Sequence, residues 1–144
     1  MKTINKQLQF FLNISLVHGR VARSFDNGLG NGIGFNDFVI LYHLSQSPEQ
    51  KMRRIDLAEI ISMSASGVTR MLLPMEKIGL VVREESKEDG RVSYVKLASG
   101  GKRLLEEAMD RAEMKSEEFL PGTNLEGRKD ISEIFSMFSF NPVK

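Results

Sequence analysis

The sequence predicts a mainly α-helical fold with one small β hairpin, and three observations carry that prediction. Apolar residues recur at helical spacing along most of the chain, as at Ile131, Ile134, Phe135 and Phe138. The period changes once: "LVVREES" (80–86) is rich in strand formers, and "RVSYVKL" (91–97) alternates. Between them "KEDG" ends in the Asp-Gly pair that marks a hairpin turn. Two helical stretches, 54–61 and 64–79, stand directly before this hairpin and are joined only by "SMS". Helix, tight turn, helix, hairpin is the order of a winged helix-turn-helix.

The elements follow in order. Residues 4–25 read as a helix with Leu8, Phe11, Leu12, Ser15, Gly19 and Ala22 on one face, widened by Ile14, Val17, Val21 and Phe25. So wide an apolar stripe predicts burial on two sides, with a second subunit as the candidate cover for one of them. "DNGLGNGIG" (26–34) breaks the pattern. A phosphate-cradling loop would need a strand before it and a lysine after it, and it has neither. The segment is expected to be a flexible connection. A helix over about 36–46 follows, with Phe38, Leu41, Tyr42 and Leu44 inward. In 54–61, Leu57, Ala58 and Ile61 face the core; Asp56 and Glu59 suit the start of the helix dipole. Ser99 is expected to cap a long helix over about 100–119, in which Leu104, Leu105, Ala108, Met109, Ala112 and Phe119 are apolar. "LPGTN" breaks it, and the last amphipathic helix closes the chain.

Composition excludes several classes. A chain of 144 residues fits one domain, and 41% hydrophobic with 27% charged residues is the balance of a globular protein. No apolar run is long enough to span a membrane, and the N-terminus makes a poor signal peptide. With no cysteine there is no disulfide, thiol chemistry or thiolate metal site. A cytoplasmic location is expected. Net charge is only +1, yet residues 51–103 hold 11 Lys/Arg against 7 Asp/Glu, and residues 104–144 hold 5 against 9. A basic middle suggests a middle that meets an anion, nucleic acid being the commonest large one.

The stretch "SASGVTRMLLPMEKIGL" (64–80) has the chemistry such a role needs. In a helix-turn-helix the second helix enters the major groove with its N-terminal residues at the base edges. Ser64 is a good N-cap, the small residues allow close approach, and Ser64, Ser66 and Thr69 can donate to phosphates or bases. Arg70 suits the bidentate contact that guanine offers. Val68, Leu72, Met75 and Ile78 are expected on the core side. Pro74 deletes one helical hydrogen bond and is expected to bend the helix without ending it, and Gly79 is a natural stop. On the wing, Arg83, Lys87 and Arg91 are cations able to reach a neighbouring minor groove. Asp89 either orients Arg91 or is simply the turn residue before Gly90.

These residues together resemble the MarR (multiple antibiotic resistance regulator) family of winged-helix repressors. The matching stretches are "IDLAEIISMSASGVTRMLLPMEKIGLVVRE", the Asp-x-Arg of "EDGRVSYVKL" and the glycine-led "SGGKRLLEEA". The resemblance implies a winged-helix DNA-binding region over 36–98 and a helical dimerisation region over 1–25 and 99–144. It implies a homodimer that places two recognition helices in successive major grooves of a pseudo-palindromic operator and represses a nearby gene. It also implies release by a small aromatic or other apolar acid, bound between the dimerisation helices and the winged region. Ala98 replaces a threonine frequent in the family, which removes a cap. The oxidant-sensing cysteine of some members is absent.

His18 and His43 lack the partners of a metal site and read as structural. His18 and Tyr42 are candidates for contact with an effector. The eight methionines read as core filler, and the acidic face of 104–118 as solvated. No activated nucleophile or metal cluster supports an enzyme, and no cofactor is expected. The alternative from another class is a winged-helix dimer that binds protein without specific DNA affinity.

Overall fold

The computed structural model describes residues 2–122, 125–138 and 143. The chain runs α1 (Lys6–Asp26), α2 (Phe35–Gln46), a short turn of 3-10 helix (Pro48–Gln50), β1 (Lys51–Arg53), α3 (Arg54–Ile60), α4 (Ala65–Lys77), β2 (Val81–Glu85), β3 (Ser93–Leu97), α5 (Ser99–Phe119) and α6 (Lys129–Ser136). The mainly α fold with its small wing is therefore as the sequence predicts.

The core lies where α2, α3, α4 and the sheet converge. Ile40, Leu41, Leu44, Leu57, Leu72 and Val95 are fully buried there. On α4, Val68, Leu72 and Met75 face inward, at the spacing expected of one helical stripe. Ile78 does not join them: it is 70% exposed. It is the C-cap of α4, and the chain leaves the helical phase at that point. The exit is a Schellman turn. Gly79, at φ +80°, donates to the Glu76 carbonyl and Leu80 to that of Met75. The helix continues through Pro74.

The wing is a three-stranded antiparallel sheet in the order β1-β3-β2, not the expected two-stranded ribbon. Three residues after the 3-10 turn pair with β3, Met52 opposite Val95. A strand that short shows no alternation of its own, which is why the sequence hides it. Val95 and Leu97 of β3 point into the core with Val81 of β2. The third strand and this inner face supply the support that a bare hairpin lacks.

The beginning of α5 closes against the end of β2. Ala98, not Ser99, is its N-cap, with no side-chain cap; Ser99 already belongs to the first turn. The Ala98 N–H donates to the Leu80 carbonyl at 3.0 Å, which ties the start of α5 to the residue before β2. Gly101 is buried beside that same carbonyl; an added Cβ would come within 2.1 Å of the Leu80 oxygen.

The glycine-rich stretch corrects another expectation. It is a packed connection rather than a loose one, because Leu29 and Ile33 are buried in the core. The Arg111 side chain of α5 donates to the Leu29 carbonyl at 3.0 Å, and Asn31 donates to Glu107 at 3.2 Å. Asp26 accepts from the Phe35 N–H at 2.7 Å and ties the end of α1 to the start of α2. Gly30 and Gly32 hold positive φ, the conformation that lets the segment turn twice.

Outside the core, α1 is bare within one chain. Only Phe25 of its residues is buried, and Leu8, Phe11 and Val17 are 46%, 52% and 55% exposed. Phe138, just beyond α6, packs on Phe10 and Phe11 with ring centroids 6.4 and 5.9 Å away. The two terminal helices thereby share one apolar platform. No helix among the described residues is long and apolar enough to cross a membrane.

Candidate nucleic-acid interface

The connection between α3 and α4 is tight because Ser62 takes a left-handed conformation, φ 53°. The Met63 N–H reaches back to the Ala58 carbonyl, and Ser64 then starts α4. The Ser64 hydroxyl accepts from the Gly67 N–H at 3.1 Å, the N-cap bond expected of it, and lies 3.2 Å from the Ser66 hydroxyl. Thr69 is also engaged: its hydroxyl donates to the Ala65 carbonyl at 3.1 Å and accepts from Arg54 at 3.0 Å. Arg70 is exposed and forms no hydrogen bond or ion pair among the described residues. A guanidinium held on a helix without a partner keeps its full set of donors for an incoming anion.

The wing is ordered at its tip. Ser86 accepts from the Glu88 and Asp89 N–H groups, and Ser86 and Val92 close the loop at 2.9 Å. Asp89 holds Arg91 at both ends: one carboxylate oxygen accepts from the Arg91 N–H (3.0 Å) and Nε (3.2 Å), the other from Nη2 (3.3 Å). The Asp89 carboxyl lies below its usual range, first because of these Arg91 hydrogen bonds, with a smaller attraction from Arg53. Asp89 thus takes part in the turn and also pairs with the arginine. The Arg91 side chain itself remains 92% exposed. Arg83 and Lys87 are exposed as well, Arg83 as the register partner of Val95.

A cleft of about 550 Å³ opens between α3, the start of α4 and the wing. Arg53, Arg54, Ala65, Thr69 and Arg91 are among the residues lining it. α4 and the wing tip thus border one basic concavity. Sequence reasoning missed Arg53 and Arg54. A signal was present: two adjacent cations occupy the N-cap and first position of α3, where the helix dipole disfavours positive charge.

The effector candidates separate. Tyr42 lines a second cavity, of about 470 Å³, between α2 and α5, together with Phe38, His43, Met109 and Glu113. His18 is not among the residues that line it. His43, which the sequence left as structural, is; burial holds its pKa below the usual histidine value. Among the described residues no group of three or more His, Cys, Asp or Glu is placed to hold a metal ion.

A three-stranded wing, a tight helix-turn-helix and an α5 that leads away from it define a winged-helix protein. Residues 36–93 match the MarR family model. Over 103 residues it is 26% identical to an uncharacterized HTH-type transcriptional regulator of Bacillus subtilis, YdgJ. That stretch is 72% of this chain and 60% of the length of YdgJ. Two solved structures from Streptomyces coelicolor share the fold. Sco3205, a MarR family transcriptional regulator in complex with DNA, superposes with TM-score 0.78 at 20% identity, over 96% of this chain and 89% of its own. The transcriptional regulator PcaV, in complex with its natural ligand, has TM-score 0.77 at 13% identity, over 96% and 97%.

Proposed function

We propose that this chain is a sequence-specific DNA-binding transcriptional regulator of the cytoplasm, acting as a homodimeric repressor of a nearby gene. The observation that carries the reading is the exposed Arg70, without a partner among the described residues, on the helix whose residues Ala65 and Thr69 border a basic cleft shared with the wing. Ser64 and Ser66 sit at the first turn of the same helix, where a phosphate is favoured. Arg83, Lys87 and Arg91 supply the wing contacts, with Asp89 as the group that orients Arg91. In a dimer joined through residues 1–25 and 99–144, two such units fit a pseudo-palindromic operator.

Binding to the DNA upstream of the chain's own gene, compared with random DNA across a salt series, tests this. Selective binding with a steep salt slope is expected. Weak, salt-insensitive binding to both would favour the protein-interaction reading instead. Arg70→Ala is expected to weaken operator binding by roughly 1–3 kcal/mol and to relax one base position. An equal loss on random DNA would reduce Arg70 to a phosphate contact. Arg91→Ala is expected to weaken binding across sequences, most where A·T-rich flanks narrow the minor groove. Unchanged affinity in a fluorescence-anisotropy titration would remove the wing from the interface.

For an effector, the cavity beside Tyr42 has the size of a small-molecule site. Among the described residues its lining contains Glu113 and no lysine or arginine, so an apolar acid finds no counter-charge among them. A neutral aromatic ligand fits these walls better than the acid that the family resemblance implies. Release of the operator by benzyl alcohol but not benzoate would support this, and the reverse would overturn it.

A further inference from the structure

Arg54 occupies a place that helix stability does not explain. It is the first residue of α3, where a cation opposes the helix dipole. Its side chain is nevertheless only 21% exposed and reaches across to α4. There Nη2 donates to the Thr69 hydroxyl at 3.0 Å, and Nη1 lies 3.5 Å from a Glu76 carboxylate oxygen. The guanidinium thus straddles two turns of the recognition helix.

The consequence falls on Thr69. A threonine hydroxyl has one hydrogen and two lone pairs. Here the hydrogen goes to the Ala65 carbonyl and one lone pair takes the Arg54 donor. Thr69 therefore has no hydroxyl hydrogen left to give. What it offers an incoming base pair is an acceptor lone pair and a methyl group, the latter suited to a thymine methyl. This changes the expectation that Thr69 is a hydrogen-bond donor to DNA.

Resting on the DNA-binding reading, we infer that Arg54 is a positioning residue for sequence specificity. It fixes the hydroxyl of Thr69 so that Thr69 discriminates at one base pair as an acceptor and methyl, not as a donor. Arg54 acts through Thr69; Glu76 anchors its other end.

The test starts by selecting duplexes from a randomised pool on the wild-type protein, then measuring affinity for single-base variants of the selected site. Arg54→Lys keeps the charge but not the forked reach. It is expected to reduce discrimination at one base pair per half-site by roughly fivefold or more, the lower end of what one specific contact supplies. Binding to random DNA is measured alongside, and discrimination is read as the ratio of affinities between single-base variants, so that any shared loss of phosphate contact cancels. In a Thr69→Val background the same substitution should change nothing further at that base pair. Arg54→Gln, whose shorter side chain loses both the charge and the reach to Thr69, should lose the same preference. It also serves if the lysine variant folds poorly by circular dichroism.

A selective wild type whose base preference survives Arg54→Lys overturns the inference alone. So does an Arg54 effect that persists in Thr69→Val. A wild type that selects no sequence from the pool overturns the DNA-binding reading as well.

Discussion

Replacing Gly101 with alanine is expected to lower the midpoint of thermal unfolding by roughly 6–12 °C, the shift that about 3 kcal/mol produces in a chain of this size. The added carbon would sit 2.1 Å from the Leu80 carbonyl oxygen and 2.9 Å from a methyl of Leu97. The side chain could give way, but the carbonyl cannot. That oxygen accepts from the Ala98 N–H and lies at the joint between α4 and β2. To make room, α5 must move off the end of the sheet and uncover Leu97 and Leu105, both buried. Overpacking against backbone belongs at the upper end of such penalties. Gly90→Ala is the control, since nothing lies within 4 Å of its added carbon. An unshifted Gly101→Ala midpoint at equal protein concentration would show that α5 is not seated on Leu80 as described.

Leu8→Glu is expected to convert a dimer into monomers, with the dissociation constant raised roughly a thousandfold or more, the effect of about 4 kcal/mol. Leu8 is 46% exposed on α1, a helix that one chain leaves largely uncovered and that also carries the exposed Phe10 and Phe11. Contiguous exposed apolar surface of this kind marks an interaction site in a soluble protein. A carboxylate placed in such an interface either loses its water or keeps the chains apart. Glutamate is a good helix former, so α1 itself should persist and the far-ultraviolet spectrum should hold. Phe135→Glu probes the C-terminal side of the same platform. Sedimentation of Leu8→Glu as a dimer would sink the assignment of the terminal helices. Its operator affinity should fall with the loss of the second half-site.

The sequence carries local signals well and distant ones poorly. The limits of α1, α2 and α4 follow from apolar spacing, and Ser64 and Gly79 act at the ends of α4 as their chemistry suggests. Arg70 and the wing cations are legible because a cation in a small, polar stretch needs no distant partner to be noticed. β1 is too short to have a period, and only its pairing with β3 makes it a strand. The glycine-rich stretch looks loose from its composition, whereas Leu29 and Ile33 are held by residues far along the chain. Arg54 escapes for the same reason: its meaning lies in a bond to Thr69, in the next helix along the chain and invisible in either neighbourhood.

The pinned connection at 26–34 also bears on mechanics. Eight freely rotating residues would act as a universal joint, and a push on the terminal helices would be dissipated there. Tied instead by Asp26, Asn31 and Arg111, the stretch behaves as a weld. Stem and winged head then form one lever with its fulcrum in the platform of α1 and α6. Under the proposed dimeric DNA-binding reading, a small rotation about that fulcrum is magnified at the far end of the arm, where two copies of α4 would have to keep the spacing of a turn of the duplex.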